Sequence, residues 1–182
     1  MEREKYSVRS VLNDPSSETG QGSGKKPKRT PLEQAKKWAT DYLKRPHSEN
    51  ELRARLREKG AAEADIDTVC ALCVDYGFVN DREYAGSIVR HYAAMGYGAG
   101  RVRQELRRRM VPEELWDEAM EQLPDGTETI DRLLARRLSG RDSGDRKERE
   151  RAANALFRRG FPWEEIRAAL ARYGAEDDDC EY

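Results

Sequence analysis

The sequence predicts an all-α protein made of three tandem three-helix repeats forming an elongated, curved array. Three observations carry this expectation. Leu56, Leu106 and Leu156 recur at intervals of fifty, and Leu52, Val102 and Ala152 keep the same register, as do Lys59, Arg109 and Arg159. A recurrence of this length marks a repeat architecture, in which small units lean on their neighbours for a core. Apolar residues follow i, i+3, i+4 spacing throughout, and no stretch alternates as a half-buried strand would.

The elements follow in order. Residues 1–30 read as a disordered polar leader, because "NDPSSETGQGSGKKPKRT" at 13–30 is rich in Gly, Ser and Pro and has no apolar periodicity. The first repeat spans 31–76. Thr30, Pro31 and Glu33 make a helix start, and Ala35, Trp38, Ala39 and Tyr42 form its inner face. "SENE" at 48–51 is a capping box for the basic helix "ELRARLREKG", and "GAAEADI" breaks the chain before a third helix.

The second repeat, 77–124, opens with Asn80 as cap, Glu83 three residues on, and Val79 placed to staple Tyr84. Tyr84, Ala85, Ile88 and Tyr92 continue its inner face. "GYGAG" at 96–100 ends this helix and starts the basic helix "RVRQELRRRM". It lacks the preceding strand and following lysine of a nucleotide loop and reads as a hinge. The third repeat, 125–174, carries Ile130, Leu133, Leu134 and Leu138, then a polar loop, then "RAANALFRRG". Pro112 and Pro162 suit first helical turns, where no amide hydrogen is missed. Residues 175–182 form an acidic tail expected to be disordered.

Charge is segregated along the chain. The last seven residues carry five acidic and no basic side chains, and residues 1–24 carry four acidic against three basic. The overall net charge of −1 therefore leaves +5 on residues 25–175, a modest pull toward an anionic partner. No apolar run reaches the ~20 residues of a membrane helix, and the N-terminus lacks a signal-peptide stretch. Three cysteines, an odd number, suit a reducing interior, so a cytoplasmic location is expected.

Candidate chemistry is sparse. Cys70 and Cys73 form a CxxC inside a helix, where the repeat register matches them to Leu170 and Tyr173, so core packing is favoured over redox or zinc chemistry. His47 and His91 sit in no metal-ligand spacing. No catalytic residue, cofactor site or metal site is expected, and the protein does not read as an enzyme.

The cations remain. With Leu52 and Leu56 facing inward, an advance of about 100° per residue puts Arg53 and Arg57 on one flanking stripe. Arg103 and Arg107 take the same places fifty residues on. Lys59, Arg109 and Arg159 recur at the helix ends, and Arg101, Arg108 and Arg158 adjoin them. A solvated face complementing the helix dipole is the plain explanation for one such helix. Recurrence suggests rows of charge facing a regular anionic partner, a nucleic acid or a filament; shared repeat ancestry would also preserve them.

"RPHSENELRARLREKG", "DYGFVNDREYAGSIV" and "GAGRVRQELRRRMVPEELWDEAM", in this order and spacing, resemble the RecX family of bacterial proteins that regulate the recombinase RecA. The resemblance covers about residues 32–173, and its most specific part holds Phe78, Asp81, Tyr84 and Ala85. It implies three tandem three-helix repeats, binding to the RecA nucleoprotein filament, and suppression of recombinase and ATPase activity and of filament extension. Single- or double-stranded DNA is a further expected partner; no membrane is, and the chain is expected to act as a monomer. The rival expectation is a direct, non-specific DNA-binding module, since three-helix units can place a basic helix in a groove. Gln104 is its main candidate for reading a base, which leaves little specificity.

Overall fold

The computed structural model describes residues 7–12, 30–138 and 146–178. Its helices are α1 (Val8–Leu12), α2 (Pro31–Tyr42), α3 (Glu49–Glu58), α4 (Glu63–Asp75), α5 (Asp81–Ala94) and α6 (Ala99–Arg108). A 3-10 turn (Glu113–Leu115) then precedes α7 (Trp116–Met120), α8 (Thr127–Leu138), α9 (Arg146–Arg158) and α10 (Trp163–Asp178). Among the described residues there is no strand. The polar loop between α8 and α9, most of the leader and the end of the acidic tail lie outside the described residues.

The helix starts follow the side chains that serve them. Thr30 Oγ1 accepts from the Glu33 amide at 3.3 Å while the Thr30 amide donates to Glu33 Oε2 at 2.8 Å. Ser48 and Glu51 repeat this reciprocal box at 3.1 Å in both directions. Asn80 Oδ1 accepts from the Glu83 amide at 3.1 Å. Each satisfies amides that a helix start cannot pair internally. Pro112 and Pro162 stand one residue ahead of the turns they were expected to open, a shift within ordinary boundary scatter.

Two compact units result: Met1–Tyr84 with Arg109–Pro112, and Ala85–Arg108 with Glu113–Tyr182. Unit 1 buries Ala35, Ala39, Leu52, Leu56, Ile66, Val69, Cys70, Cys73 and Val79 in one core. Leu12 joins them, only 2% exposed, because Val8–Leu12, expected within a disordered leader, instead folds as α1 and packs against α2 and α4. Val8, Val11 and Leu12 give this short segment an apolar face that the polar stretch after it lacks. Burial of the CxxC pushes the Cys70 thiol up to about 11 and the Cys73 thiol up to about 12, which makes both poor nucleophiles near neutral pH.

Unit 1 also includes the end of the second basic stretch, for a local reason. Ser48 Oγ, fully buried, donates to the Arg109 carbonyl at 2.7 Å, and Asn50 Nδ2 donates to the Met110 carbonyl at 3.0 Å. Asp81 Oδ1 accepts from the Glu49 amide at 2.9 Å, serving the start of α3 as well as opening α5.

Within unit 2, α8, α9 and α10 bury Ile130, Leu134, Leu138, Ala152, Ala153, Leu156, Phe161, Ile166 and Ala169. The second joint of the chain lies here, at the positions fifty residues on. The Gly98 and Gly100 amides donate to the carbonyls of Arg159 and Gly160, each at 2.9 Å. "GYGAG" thus does more than end one helix and start another. A Cβ on Gly98 would lie 2.6 Å from the Gly160 oxygen, so glycine permits direct backbone pairing. The backbone of α10 continues to Asp178, which carries the helix into the segment expected to be disordered.

Candidate cationic interface

The ten cations singled out in the sequence occupy four distinct environments. On α3, Arg53 is held by two carboxylates, with Nη1 2.6 Å from Asp67 Oδ1 and Nε 2.8 Å from Glu49 Oε1. The Asp67 hydrogen bond, followed by that of Glu49, raises its pKa. Arg57 makes a two-pronged pair with Glu63 at 2.5 and 2.9 Å, which raises the arginine and lowers the carboxyl. This pair is exposed and screened by solvent. The α3 stripe is therefore charge-compensated, by Asp67 and Glu63 on α4 and by Glu49 on α3 itself.

On α6, Arg101 and Arg108 share a partner. Glu105 is only 2% exposed. It accepts from Arg101 Nη2 at 2.8 Å and from Arg108 Nη2 at 2.7 Å. Burial pushes its carboxyl up, but the hydrogen bonds from Arg108 and Tyr92 and the charges of Arg108 and Arg101 outweigh burial and hold it below the usual range. Nothing in the repeat register marks this acid, since its counterparts are Arg55 and Ala155. Only its spacing to Arg101 (i−4) and Arg108 (i+3) could have shown it.

Arg109 and Arg159 belong to the joints. Arg109 Nη1 donates to the Tyr84 hydroxyl at 2.6 Å, with its guanidinium 5.8 Å from the ring centre. Arg159 Nη1 donates to the Met95 and Gly96 carbonyls at 3.2 and 3.1 Å and lies 5.3 Å from the Tyr97 ring centre. These contacts fix both side chains locally.

The fourth group faces water. Arg103, Lys59 and Arg158 are exposed and make no ion pair among the described residues. Arg107, with 71% of its side chain exposed, approaches Glu113 only to 4.0 Å and rests 5.3 Å from the Trp116 ring centre. Arg103 and Arg107 lie one turn apart on α6, so two exposed cations adjoin there. No group of three or more His, Cys, Asp or Glu side chains among the described residues could hold a metal ion. No described helix is long and apolar enough to cross a membrane. His47 stacks on Tyr42 at 3.9 Å and contacts Glu51 Oε2 at 3.3 Å, a local packing arrangement.

Residues 35–71, 80–120 and 125–170 match the first, second and third three-helix domains of RecX. The chain belongs to the RecX family. It is 34% identical over 137 residues to the regulatory protein RecX of Vibrio campbellii, covering 75% of this chain and 86% of that relative. It is 37% identical over 131 residues to the regulatory protein RecX of Chromohalobacter salexigens, covering 70% and 84%. The crystal structure of RecX from Lactobacillus salivarius shares the fold at a TM-score of 0.68 and 21% identity, covering 78% of this chain and 96% of that one. A second RecX crystal structure matches at 0.63 and 22% identity, over 78% and 73%. The all-α architecture of three three-helix domains is thus that of the RecX family.

Proposed function

We propose that this protein is a non-catalytic cytoplasmic regulator of RecA. In this reading it binds the RecA–DNA filament as a monomer and restrains ATP hydrolysis and filament extension, using its solvent-facing cations. Family membership supports the regulatory role, and the relatives carry the name of regulatory protein. The observation that carries the site is the exposure of Arg103 and Arg107 on α6, with the neighbouring acid Glu105 already committed to Arg101 and Arg108. Lys59 and Arg158 extend the set. Arg53 and Arg57 would first have to exchange their carboxylates for the partner's, which lowers their net contribution.

The test is the double reversal Arg103→Glu and Arg107→Glu, read by RecA-driven ATP hydrolysis on single-stranded DNA. Inhibition should weaken at least tenfold in protein concentration while the circular dichroism melt is unchanged. Full inhibition by the folded variant refutes the assignment. Inhibition by wild-type protein well below one molecule per protomer indicates blocked growth, and inhibition only near equivalence indicates coverage. If the protein binds DNA alone and never alters RecA, the direct DNA-binding module is the correct reading.

A further inference from the structure

The third repeat departs from the first two at one pair of positions. Position 57 pairs with 63 as Arg57–Glu63 at 2.5 Å, and Arg107 faces Glu113 at 4.0 Å. The corresponding residues are Phe157 and Trp163, whose rings meet edge to face with centres 6.4 Å apart. Both are exposed, Phe157 at 59% and Trp163 at 43%. Opposite charges stand at this place in the other repeats, closely paired in the first and 4.0 Å apart in the second, so the fold does not require apolar side chains here. Exposing two large rings side by side costs solvation that a charged pair would avoid.

The surrounding charge has changed in the same direction. Asp67, which balances Arg53 in the first repeat, has Arg167 as its counterpart, one turn beyond Trp163. Arg158 follows Phe157. Both arginines are exposed, and neither makes an ion pair among the described residues. Residues 146–173 hold eight basic against four acidic side chains. Neither ring lines the cleft around Tyr97, Asp125 and Phe161 or the one around Leu133, Arg137 and Leu156. With 59% of Phe157 and 43% of Trp163 exposed, both rings keep surface open to solvent.

We infer that Phe157 and Trp163 form a stacking platform for unpaired nucleobases, with Arg158 and Arg167 taking the adjoining phosphates. Aromatic faces beside cations bind single strands with little sequence preference, because every base offers a π face. Duplex DNA, whose bases are already stacked, gains nothing from the rings. The inference does not rest on the reading of RecA regulation, since it concerns this chain and a nucleic acid alone.

The test titrates the full chain with an oligothymidylate and with an abasic phosphodiester oligomer of equal length, followed by anisotropy and tryptophan emission. The thymine oligomer should bind roughly tenfold tighter, the scale of one stacked base, and should quench Trp163. Phe157→Arg with Trp163→Glu, which writes the first repeat's pair into the third, should erase that preference without altering the melt. Phe157→Leu with Trp163→Leu should erase it too, which covers a failure of the first variant to fold. Arg158→Glu with Arg167→Glu should weaken both oligomers. Equal affinity of the wild type for the two oligomers overturns the proposal. So does a preference that survives both aromatic variants. An aromatic variant that loses its effect on RecA but keeps the base preference would assign the rings to a protein contact and overturn it as well.

Discussion

Alanine at Gly60 and alanine at Gly160 should have very unequal effects, although the two glycines end equivalent helices with φ of +84° and +87°. Both variants force a side chain into the left-handed region, at about 1–2 kcal/mol each. A Cβ on Gly60 meets nothing within 4 Å, so strain is the whole cost there. On Gly160 it would stand 2.2 Å from the Arg101 amide nitrogen and 2.8 Å from the Arg101 Cβ. These are backbone and first side-chain atoms and cannot swing aside. The start of α6 must retreat, and the Gly98 and Gly100 hydrogen bonds to Arg159 and Gly160 go with it, at about 1 kcal/mol apiece. Gly160→Ala should therefore cost about 2 kcal/mol more than Gly60→Ala, roughly a thirtyfold difference in the opening equilibrium. Urea melts give the stabilities. Hydrogen exchange at the Gly98 and Gly100 amides localises the damage, which should accelerate in Gly160→Ala and stay unchanged in Gly60→Ala. Equal stabilities, or protected Gly98 and Gly100 amides in Gly160→Ala, would refute the close-approach argument.

Further outcomes follow from single contacts. Met110 takes the same place with φ of +50°, so Met110→Gly should be more stable than Met110→Ala by about 1 kcal/mol in urea melts, the reverse of the usual helix order. Ser48→Ala removes the buried hydroxyl that donates to the part-buried Arg109 carbonyl and should cost about 1–3 kcal/mol by the same measurement. Glu105 is held below its ordinary range, so its stabilisation is fully present above that range and is lost as pH falls through the folded value. Glu105→Gln should lower stability at pH 7 and flatten the acid limb of the stability–pH curve. In a Cys180→Ser background, Cys70 and Cys73 should resist a thiol reagent at pH 8 in the native protein and react fully in 6 M guanidinium.

Much of the fold was legible because α2, α3 and α5 announce their own starts. Thr30, Ser48 and Asn80 act within three residues of themselves, and the inner-face leucines keep the helical period. The joints were not legible, since they link residues about sixty apart through backbone carbonyls that any sequence possesses. Gly98 and Gly100 looked like a hinge because a glycine's role in close approach depends on the residue opposite, Gly160, which local spacing cannot supply. At the site, the periodicity identified which arginines share a stripe but not which are already compensated. Asp67 and Glu63 sit on the next helix, and Glu105 breaks the register of its repeats. The aromatic pair was hidden for a related reason: Phe157 and Trp163 look like core residues until the neighbouring repeats show ions in their places.

Recurrence of the helix-end cations has a cause besides a repeated partner. Arg109 and Arg159 both stand where a joint forms, and their own carbonyls accept from positions 48 and 98, sixty-one residues earlier in each case. The donor differs, a serine hydroxyl in one and a glycine amide in the other, yet the register is kept. Each guanidinium then turns back on an aromatic ring beside its joint, Tyr84 or Tyr97. Lys59, whose repeat has no earlier three-helix neighbour among the described residues, makes no such contact and is exposed. Joint formation thus accounts for the arginines that recur with a fixed contact and leaves the lysine outside it. Arg103 and Arg107 take no part in a joint and are exposed where Arg53 and Arg57 are held by close carboxylates, and the proposed function assigns them to an external anion on that ground. On the proposed function, charge reversal there should separate stability from binding: the melt stays unchanged, and inhibition of RecA weakens. Reversal at Arg109 should instead lower the melt itself, and a folded Arg109→Glu of wild-type stability would defeat this division of labour.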